Sequence, residues 1–196
     1  SNGLAGTSSG GTTPTLTLST SVTGLVKGNG TALSAATAGT DYVAPGTATT
    51  FTALQTFAGA SSNLAASFVN AKEKVTISAT AATGTINLDA LTQSILYYTT
   101  NASANWTLNI RGSGSASLDS LMSTGEAITV VFMVTNGSTA YYQTALTIDG
   151  SSVTPKWQGG SAPTAGTASA IDIYTLTAIK TGSAAFTALQ SVVQFK

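Results

Sequence analysis

Seven carboxylates make up the acid–base inventory of this 196-residue chain: Asp41, Glu73, Asp89, Asp119, Glu126, Asp149 and Asp172. The chain has no histidine and no cysteine. A Ser-His-Asp triad, a thiolate nucleophile, a disulfide and a cysteine metal site are therefore excluded. What carboxylates alone can do is cleave a glycosidic bond, if two converge across a sugar ring. They can also hold calcium, if they fall in a DxDxDG loop. The spacing pairs no two of them and contains no such loop, and Asp149 stands directly before Gly150 as a turn residue. The Gly28-Asn29-Gly30 stretch lacks the GKS or GxGxxG surroundings of a phosphate loop. The expectation is a protein with no catalytic residue, no metal site and no cofactor.

The aromatics carry the remaining contact chemistry. Trp157 sits in "PKWQGG", between Pro155 and two glycines, flanked by Lys156 and Gln158. A loop-borne ring beside an amide suits stacking on a neutral sugar. The same ring could equally plug the end of a sandwich or lie in a seam between subunits. Asn136 and Ser138, in "NGST", are the second set of candidate loop contacts. Trp106 alternates with Leu108 and Ile110, which assigns it to a core. Tyr97-Tyr98 and Tyr141-Tyr142 are adjacent pairs that must split across the two faces of a strand. Four Asn-x-Ser/Thr sequons, at Asn29, Asn101, Asn105 and Asn136, are what so much Ser and Thr produces by composition.

These residues sit in an unusual medium. Charged residues are 7% of the chain and the net charge is zero, against roughly a quarter charged in an ordinary globular protein. Such a surface has no long-range field to gather phosphates, so neither nucleic acid nor an anionic membrane is an expected partner. No apolar run reaches the ~20 residues that span a bilayer. A first residue of Ser1 instead of Met is expected of a processed product or a fragment.

The elements divide the chain in three. Residues 1–23 open on a Gly/Ser/Thr run too polar to order itself, followed by a short alternating strand around Leu16 and Leu18. Residues 24–72 form a glycine-punctuated ribbon and a stretch that half fits a helix. Residues 73–196 hold short alternating strands: Val75 and Ile77 on one face, then Ile86 with Leu88, then Trp106 with Leu108 and Ile110. The 127–135 segment is apolar on both faces and should be covered twice. Asn136-Gly137 and Asp149-Gly150 read as hairpin turns, and residues 117–122 as one turn of helix. The pattern predicts an all-β protein with an antiparallel sandwich over 73–196.

The ribbon "GLVKGNGTALSAATAGTDYVAPG" (24–46) resembles a segment that recurs in tail-fibre and related appendage proteins of tailed bacteriophages. The matching pieces are "GLVKGNG", "SAATAGTDY" and "APG". "TFTALQTFAGASSN" looks like fibre shaft, and the stretch from "NAKEKVTIS" through "IDIYTLTAIK" is similar to a domain of marine-phage structural proteins. The resemblance implies a virion protein that is a homotrimer, joined to other virion proteins through its N-terminal region, with a stalk (24–72) and a jelly-roll-like sandwich knob (73–196). It implies a part in host attachment, with host surface glycan as a candidate ligand. Gly24, Gly28 and Gly30 allow close approach of three chains, Asp41 bonds nearby amides with Tyr42 packed outward, and Pro45-Gly46 ends the segment. The alternatives are a capsid (head) fibre or decoration protein, and a secreted carbohydrate-binding module.

Overall fold

Alternation of apolar and polar residues decides which side chains of this protein meet, and the strands follow it closely. The computed structural model describes residues 24–28, 33–37, 41, 42, 51, 54 and 69–196. The expectations for residues 1–23, for most of 43–68, and for Gly30, Pro45 and Gly46 lie outside them. Two compact units divide the chain, Ser1–Phe68 and Val69–Lys196.

In the first unit, β1 (Val26–Gly28) and β2 (Leu33–Ala35) pair antiparallel, with Val26 opposite Ala35 and Gly28 opposite Leu33. Gly24 precedes them at φ +99°, a conformation open to glycine. Asp41 closes this ribbon. Its carboxylate accepts from Lys27 Nζ at 2.7 Å and from the Thr37 amide at 2.8 Å, while its own amide donates to the Thr37 carbonyl. The carboxylate is held below its usual range by the Lys27 and Thr37 hydrogen bonds. Leu25 and Val26 remain exposed, so among the described residues the hairpin buries no large apolar side chain.

The second unit packs two sheets face to face. Its strands are β3 (Val75–Ala81), β4 (Gly84–Asp89), β5 (Ile95–Thr100), β6 (Trp106–Arg111), β7 (Ala127–Thr135), β8 (Gln143–Ile148), β9 (Ser151–Ser152), β10 (Lys156–Trp157), β11 (Ile171–Gly182) and β12 (Ala185–Phe195). The larger sheet has the order β10-β12-β11-β7-β5-β3 and the smaller β4-β6-β8-β9. One short helix, α1 (Leu118–Leu121), stands between β6 and β7.

The fold is all-β, but the connectivity corrects the antiparallel, jelly-roll-like expectation. From β3 to β8 successive strands alternate between the two sheets, three in each. Neighbours within each sheet are therefore parallel: β3-β5-β7 in one and β4-β6-β8 in the other. A parallel pair needs a crossover connection, and here that crossover is a strand of the opposite sheet. Only the β7-β11-β12 end and the β8-β9 turn run antiparallel in this unit. A jelly roll is built from antiparallel Greek keys, and this winding is closer to a coil of three rungs finished by the β11–β12 hairpin.

The core lies between the sheets. Leu88, Leu108, Ile110 and Ile148 from the smaller sheet meet Leu96, Phe132, Val134, Tyr174 and Leu176 from the larger. Five rings form a chain of edge-to-face contacts: Tyr98–Phe132 at 5.4 Å, Phe132–Trp106 at 5.9 Å, Trp106–Tyr174 at 5.8 Å and Tyr174–Trp157 at 6.5 Å. Such pairs add about 0.5–1.5 kcal/mol each beyond the area they bury. Trp106 is thus the core residue that its alternation predicted. Val75 and Ile77 share a face as their alternation predicted, and it is the outward one, with Ile77 68% exposed.

Candidate functional site

The carboxylates come first, because the sequence offers nothing else for acid–base work. Asp89 pairs with Arg111 at 2.6 Å across the parallel β4–β6 register. Glu126 accepts from the Ser123 amide at 2.7 Å, and Glu73 accepts more loosely from Ser94 Oγ at 3.4 Å. Asp149 and Asp119, which their spacing did not connect, meet at the start of α1. Asp149 accepts from the amides of Leu118 and Asp119 at 2.7 and 2.9 Å, satisfying two N–H groups that no helical carbonyl can reach. Asp119 pairs with Lys180 at 2.8 Å and accepts from the Ala184 amide. Lys180, almost buried, also donates to the Met122 carbonyl at the other end of the helix.

A glycosidase acid needs its carboxyl held protonated, with a raised pKa. Asp119 is pushed the other way, below its usual range, by the Lys180 hydrogen bond and then by the Ala184 amide. The Asp119–Asp149–Lys180 group therefore works as a clamp on a four-residue helix too short to persist alone. Asp149 at φ 51° and Gly150 at φ 79° also form the two-residue turn between β8 and β9 that the sequence anticipated. Among the described residues no three His, Cys, Asp or Glu side chains group as a metal site.

Asn136 corrects a second expectation. It is 2% exposed, so it does not stand on the surface as a receptor contact. Its amide donates to Asp172 Oδ2 at 3.0 Å and to the Tyr141 carbonyl, and its oxygen accepts from the Tyr141 amide. Asn136-Gly137 is consequently no hairpin turn, because the chain there leaves the larger sheet for β8 in the smaller one. Asp172 is fully buried. One oxygen takes the Asn136 and Thr167 donors, and the other has no protein partner. Gly166 closes the same loop, where any Cβ would run into the Tyr141 carbonyl. Ser138 is exposed, as expected of a loop contact.

Trp157 lies on the edge strand β10, which pairs parallel with β12 and sets Lys156 opposite Leu189 and Trp157 opposite Gln190. Gln190 points inward, where it makes a reciprocal amide pair with Gln143 at 2.7 and 3.1 Å across the two sheets. The Trp157 ring follows it, half-buried against Tyr174 and the core. Burial pushes the Tyr174 phenol far above its usual range. Lys156 and Gln158 stay exposed beside a cleft of about 360 Å³, shared with Thr175, Thr177 and Leu189. The structure thus brings Lys156, Trp157 and Gln158 together, and it leaves Asn136 in the interior. It can offer a ligand an amide, an ammonium and several hydroxyls, but the tryptophan is engaged in packing.

No protein-family model matches this chain, and neither a curated protein nor a solved structure matches it.

Proposed function

We propose that this chain is a structural protein of a tailed-phage virion, a trimeric appendage that takes part in host attachment. The supporting observation is the ribbon. Its sequence resembles phage fibre segments, and in the structure it is a hairpin tied by Asp41 with Leu25 and Val26 left in solvent. A hairpin that buries no large apolar side chain among its described residues gains an interior when copies wrap around each other. The carboxylates accord with a role without catalysis, since each accepts a structural hydrogen bond or ion pair. The exposed Lys156 and Gln158, with Ser138 on a separate loop, are the contact groups left for a host glycan, each weak alone and reinforced by repetition in a trimer. The N-terminal region would join other virion proteins.

Antibody raised against this chain and imaged on purified particles is the test. Label on a tail appendage is the expected result. Label on the capsid would move the protein to the head-fibre alternative, and particles free of the chain would refute a virion role.

A further inference from the structure

The two sheets of the Val69–Lys196 unit solve the same problem in opposite ways. Each has an inner face in the core and an outer face turned away from it. The smaller sheet turns outward Thr85, Asn87, Asp89, Thr107, Arg111 and Thr147, a polar face within which Asn109 is covered and bonded to Asn87 and Thr147. The larger sheet does the reverse. Its register aligns one outward residue from each of five strands in a row: Ile77, Tyr97, Met133, Ile173 and Val193. A second row beside it reads Val75, Ile95, Val131, Thr175 and Ser191. No outward position on β3, β5, β7, β11 or β12 carries a charge. The hydroxyls within the face partly satisfy one another, as Thr129 and Thr177 do at 2.9 Å.

We propose that this outward face is the surface through which copies of the chain assemble, with the Ile77–Val193 row at its centre. The inference rests on the appendage reading for its stoichiometry of three, and on the register for the surface itself. Several features favour a second copy as the occupant. A symmetric contact sets a patch against itself or its neighbour's equivalent, so charges of one sign would repel, and this face has none. A charged partner would find nothing here to pair with. The size also fits. Five strands about 4.8 Å apart and about 20 Å of strand length give a flat area of about 500 Å². The accessible surface of a side-chain relief exceeds its flat projection, which brings it near the roughly 800 Å² per partner of a stable interface. The apolar row is contiguous across five strands, unlike the singly scattered apolar residues that need no explanation.

The test uses the full chain and two lysine variants, Met133→Lys at the centre and Ile77→Lys at the β3 edge, with Thr85→Lys on the polar sheet as control. Light scattering after size exclusion should give three times the 19.5 kDa chain mass for the parent and the control, and 19.5 kDa for the face variants. Far-ultraviolet circular dichroism reports folding. Ile77, already 68% exposed in the single chain, serves if Met133→Lys does not fold. Because the chain has no cysteine, Thr175→Cys can also be labelled with maleimide. It should react slowly in the assembled protein, while Thr85→Cys reacts freely. A parent mass of two chains with monomeric variants upholds the face and removes the trimer. A monomeric parent overturns the proposal, whether the thiol is free or is shielded by residues 1–68. So do folded variants that keep the parent mass, an outcome that leaves the virion reading standing.

Discussion

Replacing Trp157 with alanine separates a packing ring from a receptor ring. Truncating a fully buried tryptophan costs about 3–5 kcal/mol. Trp157 is half-buried and touches a single aromatic neighbour, Tyr174 at 6.5 Å, so roughly half of that, ~2–3 kcal/mol, should be lost. At about 4 °C per kcal/mol for a body of this size, Trp157→Ala should lower Tm by ~8–12 °C. The assay is thermal unfolding at fixed protein concentration, since assembly makes Tm concentration-dependent. It is paired with adsorption of the protein to host cells well below the lowered Tm. Adsorption should then be nearly unchanged, with Lys156 and Gln158 still in place. A Tm within about 2 °C of the parent, together with lost adsorption, would refute the packing argument. It would return the ring to the role of sugar platform.

Three further outcomes follow from the clamp and the buried loop. Asp149→Ala removes the acceptor of two helix-start amides and should destabilise the protein by ~1–2 kcal/mol, read from the urea midpoint. Asp119 is held below the ordinary aspartate range by its Lys180 hydrogen bond, so its contribution is fully present above about pH 4 and is lost as pH falls through the lower folded value. The acid limb of stability against pH should accordingly flatten in Asp119→Asn. Gly166→Ala drives a methyl group into the Tyr141 carbonyl and should cost about 1–3 kcal/mol, with faster hydrogen exchange at the Tyr141 and Thr167 amides.

Most strands were legible because a strand's faces follow from period-two alternation, and Trp106, Leu108, Ile110, Phe132 and Val134 fell where that period put them. Direction was not legible. A parallel and an antiparallel strand alternate alike, so only the connections carry direction, and Asn136-Gly137 gave a false hairpin signal. What distinguishes it from the real turn at Asp149-Gly150 is tertiary: Asn136 is drawn inward by Asp172, 36 positions away. The Asp119–Asp149–Lys180 clamp was invisible for the same reason, since Lys180 lies 61 residues from Asp119.

The placing of Val75 and Ile77 is more instructive. Alternation says that two residues share a face, but not which face is the inner one. Burial usually decides, with apolar residues inside. On β3 the inward positions are Thr76 and Ser78 while Val75 and Ile77 face out, an inversion that makes little sense for a chain surrounded by water. β7 and β11 carry apolar residues on both faces, which the sequence did signal for 127–135. An inverted edge strand and two doubly apolar central strands lie in a single register across one sheet. Apolar residues placed outward at matching positions on separate stretches of sequence are hard to explain strand by strand. The proposed assembly accounts for them together, as a second interior formed between copies of this sheet.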